Sequence, residues 1–333
     1  MGVAVDPSRG RVYVANSRDG TVSVLGEQPL AVVATVPVGG GPRAVAVDPG
    51  LGLVFVTNWD DHTIAIVDES SLSVVGIVFV GAEPGDKLGS GLAVDTANHL
   101  LWVAHEEPVD HSSGQAPPLE SGYLGANALA LIDEQSLEVS ADLLLGDTLS
   151  LALDPANNLA FVAIGSGTSV SAPDRVRVLA LDTQATLNSV SLATAVLPAS
   201  MAVDPATGLL FLAEPGLQNL VVFDHTTILN AASQAAARRG PPISWQGVSQ
   251  GTWAVAADTA THIVYALNHP DPILSGDSGP ATLVALDEAT LNVRAGASLY
   301  GSPRGPALDA FTHVLYVTDP DGGTVTALQG LTP

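Results

Sequence analysis

The chain has no cysteine, and Lys87 is the only lysine among its eleven basic residues. Without thiols there can be no disulfide, thiolate nucleophile or thiolate metal site, a restriction compatible with any compartment. No run of about 20 apolar residues is present, so no membrane-spanning helix is expected. Met1-Gly2 leads straight into a strand-like stretch with no charged or apolar leader before it. Basic residues are outnumbered by 34 acidic ones, and a net charge of −23 repels nucleic-acid backbones and anionic membranes. The acidity itself needs no function beyond keeping the protein soluble. There is no G-x-S-x-G elbow, P-loop or H-E-x-x-H, which disfavours serine-triad and nucleoside-triphosphate chemistry.

What is present is a repeat. From Arg43 to Gly81 the chain reads as four short strands, Ala44–Asp48, Val54–Asn58, Thr63–Asp68 and Val74–Val80, each bounded by turn residues. The aspartate ending the first of these strands recurs as Asp6, Asp48, Asp95, Asp154, Asp204, Asp258 and Asp309. An aromatic residue in the next strand keeps pace: Tyr13, Phe55, Trp102, Phe161, Phe211, Tyr265 and Tyr316. Seven copies of a four-stranded unit predict an all-β, seven-bladed propeller spanning 1–333 as one domain. The blades start near residues 2, 44, 91, 150, 200, 254 and 305. Blade 7 stops after three strands near Leu328, and nothing precedes Gly2 to complete it. Ring closure is therefore expected to rest on side-chain packing or on a strand lying upstream.

The words VYVAN, VFVTN, VLYVTD and VAVDP resemble those of the YVTN family of seven-bladed propellers, and the resemblance covers nearly the whole chain. It implies the propeller fold and an extracellular or periplasmic protein whose signal is absent from this chain; a cytoplasmic one stays open. It implies less about function, because the fold hosts both binders and enzymes.

Small residues recur at alternating positions of the first strands, Ala44/Ala46, Gly91/Ala93, Ser150/Ala152, Ser200/Ala202, Ala254/Ala256 and Gly305/Ala307, and are expected to line the central channel. Aspartates of the bottom turns are read as backbone acceptors. His62, His99, His225, His262 and His313 are read as ordinary turn or strand-end residues, and Thr227–Arg239 as the one helix.

Long loops gather on the opposite, top face: 105–127, Gly165–Arg175, His269–Pro280 and the Gly81–Ser90 crossover with Glu83, Asp86 and Lys87. The second strands end there at Asn16, Asn58, His105, Ile164, Glu214, Asn268 and Asp319. Asparagine serves the turn. His105, Glu214 and Asp319 depart from it, with Glu106, Glu107, Asp110, His111, His269 and Asp271 nearby. Imidazoles and carboxylates converging on one mouth suit a divalent metal such as zinc, manganese, iron or calcium. The expected ligands are His105, Glu214, His269 and Asp319, and the expected catalytic groups His105, Glu106 and His269. Bracing of the long loops is the alternative for the histidines, and an ordinary Asp319-Pro320-Asp321-Gly322 turn for Asp319. Arg43, Arg304, Trp59, Trp253 and Tyr123 are candidate substrate contacts, with ion pairing or packing as the alternative.

These readings lead to a metal-dependent hydrolase of a lactone, ester or phosphoester, by analogy with lactonase-like propellers. A lyase using histidine as base, or a non-catalytic binding propeller, are the alternatives. A monomer acting on a small molecule is expected.

Overall fold

In the computed structural model the seven blades have 27 strands among the described residues, the last blade having three as expected. The structure describes residues 2–80, 88–108, 125–145, 147–165, 174–192, 199–214, 220–231, 237–239, 244–245, 248–249, 251–269 and 280–331.

Six sheets have four antiparallel strands each and the seventh has three, Arg304–Asp309, Val314–Asp319 and Thr324–Leu328. Strands follow one another in each blade in sequence order from the axis outward. This is the all-β, seven-bladed propeller that the repeat predicts. A two-stranded ribbon, Ser244–Trp245 with Val248–Ser249, is an addition to it. No helix among the described residues is long and apolar enough to cross a membrane.

The second strand of every blade is its most buried, because the blade packs on a neighbour through both faces. The marker aromatics Tyr13, Phe55, Trp102, Phe161, Phe211, Tyr265 and Tyr316 are all at most 2% exposed. Each cluster of core residues spans two adjacent blades; Phe211 and Leu220 of blade 5, for example, pack with Val264 and Val284 of blade 6. Blade 7 meets blade 1 in the same manner, Tyr316 lying against Val12, Val14 and Leu25.

The described part of the expected helix Thr227–Arg239 is helical at its start and a strand at its end, and 232–236 lie outside the described residues. A short helix covers His225–Asn230, with Asp224 as its cap accepting from Thr227 N at 2.7 Å. Arg238–Arg239 then pairs with Val221 and Val222 as the outermost strand of blade 5. The alanine-rich stretch favours a helix locally, but the blade's open edge takes the end of it as a strand.

The marker aspartates, each at most 1% exposed, close the bottom turns as expected. Asp48 Oδ1, for instance, accepts from Gly50 N and Leu51 N at 2.7 and 3.1 Å. Their second oxygens face the next blade. Where the third strand of that blade ends, the chain presents Glu27 to Asp309, Glu69 to Asp6, Glu134 to Asp48, His225 to Asp154 and Glu288 to Asp204. Three of these seams thus set a buried glutamate against a buried aspartate, and at a fourth Glu27 is half-buried.

Burial and the facing aspartate push the Glu69 carboxyl up to about 6 and raise Glu27 in the same direction. A carboxyl raised on folding contributes stability that is full below its unfolded value and is lost as pH climbs through the folded one. Asp68 and Asp287, held at about 2 by hydrogen bonds from Ser70 and Thr290, work oppositely, losing their contribution as pH falls through that region. Thermal melts in chelator should therefore show an unfolding temperature roughly 4 °C higher at pH 5.5 than at pH 8, falling again below pH 4. A steady rise from pH 5 to pH 8 would contradict this assignment.

Candidate functional site

The innermost strands run down the axis, and their upper ends carry an irregularity that regular pairing would not. Register slips between Thr148 and Ser150, Thr252 and Ala254, and Arg304 and Pro306. In blade 2 it slips between Pro42 and Val45. A bulge turns the strand and re-aims the side chains around it. Trp253 is the extra residue of its bulge, and Arg304 starts the irregular step in blade 7.

These strand ends surround a cavity of about 400 Å³ lined from blades 3 to 7. Gly91, Ser150, Ser200, Ala254 and Gly305, each the first member of an expected small-residue pair, are among its lining residues. At Gly91 a Cβ would sit 3.0 Å from the Ala104 side chain, a contact tighter than most. One wall carries the larger groups Trp253, His269 and Arg304. The Trp253 and His269 rings meet edge to face at 6.4 Å, and the Arg304 guanidinium lies 5.9 Å from the indole centre. Arg304 is exposed and has no carboxylate partner among the described residues.

Strand alternation explains why His269 belongs to the cavity. Leu267 and His269 share a face and both line it. Asn268, between them, is buried on the other face and accepts from Thr252 Oγ1 at 2.8 Å. His105 occupies the Asn268 position of blade 3, and it too is buried away from the mouth. Its Nε2 lies 3.0 Å from Asp142 Oδ1 on the blade's outermost strand. Asn58 reaches the Val38 carbonyl and Thr63, and Asn16 reaches Thr21 and Ser23.

Glu214 is fully buried and is not part of the cavity lining. Asp319 serves the turn: its Oδ1 accepts from Ser302 N at 3.1 Å and Asp321 N at 3.2 Å. Gly301, at φ +85, passes so close to this carboxylate that any Cβ would strike it. The expected ligands His105, Glu214, His269 and Asp319 are therefore not brought together. Among the described residues, the groups of three donors within 4.8 Å of one another are Asp48, His99 and Glu134, and Asp204, His262 and Glu288, both on the bottom face. Among the described residues His105, Glu214, His269 and Asp319 form no such group, and no step through a metal is derived there.

Arg43 and Trp59 form a stacked pair, the guanidinium 3.5 Å from the ring centre, on blade 2. They stand at the same repeat positions as Trp253 and His269, five before and eleven after the marker aspartate, yet do not line the cavity. The matching position of blade 3 is Glu106. It lies on the strand Leu100–Pro108, its side chain outside the described residues. Glu83, Asp86, Lys87, Asp110, His111, Tyr123 and Asp271 also lie outside them. In blade 6 alternation places His269, the position after the strand-end ring, and not Asn268, on the cavity face.

No family model matches the chain, and no curated protein does. Among solved structures, Kuenenia stuttgartiensis hydrazine synthase is similar in fold, with a TM-score of 0.71 over 100% of this chain and 96% of that one at 14% identity. Identity that low carries the architecture and no chemistry.

Proposed function

We propose that this propeller binds a small organic anion in its top mouth, an aromatic or otherwise planar carboxylate suiting the wall best. The observation that carries this reading is Arg304. In a chain with 34 acidic and eleven basic residues, an arginine without a carboxylate partner among the described residues stands at the rim of a cavity, beside an indole that can stack on the ligand. A volume of about 400 Å³ accommodates a molecule of that size. The YVTN resemblance accords with an exported binding propeller.

Hydrolysis of a lactone, ester or phosphoester is the second reading, favoured by an imidazole and a guanidinium on one wall. His269 would act as general base and Arg304 would steady the developing oxyanion. The same imidazole removing a proton beside a carbonyl would give a lyase.

Titration with benzoate and citrate, followed by tryptophan fluorescence and calorimetry, tests binding. Arg304→Ala should weaken it about 10- to 100-fold, while Trp253→Phe should retain most affinity and lose most of the fluorescence change. No saturable binding at millimolar ligand, or an affinity indifferent to Arg304, would sink the anion reading. Turnover of an ester or lactone that His269→Gln removes while sparing binding would select the enzyme.

A further inference from the structure

The inter-blade seams on the bottom face are repeats of one arrangement, so each serves as a control for the others. At the first seam Asp6 and Glu69, both 0% exposed, are bridged by a cation from the chain itself. Arg9 Nη1 lies 3.0 Å from Asp6 Oδ2 and 2.7 Å from Glu69 Oε2. Arg9 stands three residues after its marker aspartate. At the seam between blades 7 and 1 that position is Thr312, whose hydroxyl bonds Asp309, and Tyr316 donates to Glu27 at 3.0 Å. Between blades 5 and 6 it is Thr207, bonding Glu288, while His262 Nδ1 lies 3.2 Å from the same carboxylate.

The seam between blades 2 and 3 differs. Here the position holds Leu51, whose side chain supplies neither charge nor donor. Asp48 and Glu134 are each 1% exposed, and Asp48 Oδ2 and both Glu134 carboxylate oxygens are buried without a hydrogen-bond partner. His99 Nδ1 is buried and equally unpartnered, 4.0 Å from Glu134 Oε2. His99 holds a left-handed backbone, φ 54, where blades 1 and 2 have Gly10 and Gly52. A histidine there accepts a conformation that glycine meets without strain, and its ring is delivered to the two carboxylates.

We propose that Asp48, His99 and Glu134 bind a divalent transition metal of the zinc class, which pins blade 2 to blade 3 in the role that the Arg9 guanidinium has between blades 1 and 2. The three donor atoms lie within 4.8 Å of one another, a spread that small side-chain rotations close around one ion. Two carboxylates and a neutral imidazole balance a 2+ charge, and the nitrogen donor selects zinc or manganese over calcium or magnesium. The site is structural and separate from the top mouth.

The full-length chain, stripped with chelator and dialysed, is titrated with zinc chloride by calorimetry and by thermal melts at pH 7.5. One equivalent should bind, and free zinc a hundredfold above Kd should raise the unfolding temperature by roughly 5 °C. His99→Asn keeps a residue suited to the left-handed turn, Asn158 being its counterpart in blade 4, and should weaken zinc at least tenfold. Leu51→Arg should place a guanidinium at this seam as Arg9 does at the first, abolishing the zinc response while leaving the metal-free protein at least as stable. That variant keeps the test open if Glu134→Gln folds poorly. The proposal is overturned if no zinc binds below 1 mM, or if the bound ion responds to His262→Asn and not to His99→Asn.

Discussion

Arg9→Leu is expected to lower the unfolding temperature by several degrees at pH 8 and by much less at pH 5. The substitution leaves Asp6 and Glu69 facing one another, both 0% exposed, with their bridging cation gone. Breaking a fully buried pair costs about 3–5 kcal/mol because one charge is left uncompensated. The Arg9 side chain is 38% exposed, so water moderates this to about 2–3 kcal/mol. At pH 5 the answer changes. Burial and Asp6 already push the Glu69 carboxyl up to about 6, and losing Arg9 moves it further up, so it is protonated and can donate to Asp6. Burial alone would raise Asp6 too, yet bonds from Ser8 and Arg9 outweigh it and hold that carboxyl below its ordinary value. In the variant the Ser8 amide and hydroxyl still bond Asp6 Oδ1, so Asp6 remains the acceptor. Denaturant titrations of both proteins at the two pH values measure the difference; an equal loss at both would mean that Arg9 acts through packing and not charge.

The second large effect is in the core. Phe211→Ala should cost about 3–5 kcal/mol, because this ring is 0% exposed and packed between two blades whose backbones cannot close on the space. Trp102→Phe, at the corresponding position of blade 3, should change stability by less than about 1.5 kcal/mol. Its indole is fully buried and Nε1 has no hydrogen-bond partner among the described residues. Removing an unsatisfied donor offsets the lost volume. Urea unfolding of the two variants separates the cases, and a Trp102→Phe loss as large as that of Phe211→Ala would show that shape alone governs this position.

The fold was legible because each blade repeats two constraints that a single residue can meet. One aspartate must cap the first turn with its side chain, and one large aromatic must fill the gap between neighbouring blades. Both are visible without any knowledge of long-range contacts. The last strand of blade 5 was not visible, since the alanines before Arg238 carry a local preference that only the neighbouring strand overrules. The site was partly legible. Trp253, His269 and Arg304 were identifiable from their repeat positions, but His105 was misplaced in expectation because a strand end was read as a mouth without following its alternation inward. Asp319 answers to the same correction, being held by the turn that it starts. His99 looked like a turn residue because its partners lie elsewhere: Glu134 ends the third strand of its own blade, and Asp48 belongs to the previous one. Spacing within one repeat cannot reveal a cluster assembled from two.

The three-stranded last blade has a mechanical consequence. First and last sheets share no strand: blade 1 is built from Val3–Pro37 and blade 7 from Arg304–Leu328. What couples them among the described residues is side-chain contact: Tyr316, Val314 and Val325 pack with Val12, Val14 and Leu25, the Tyr316 hydroxyl bonds Glu27, and Arg18 lies 3.9 Å from Asp321. A clasp made by a shared strand resists tension through a ladder of hydrogen bonds loaded in shear. Among the described residues the two faces bear the load as a contact that can be peeled, so a force drawing blade 1 from blade 7 would part the ring at that junction while each sheet stayed whole.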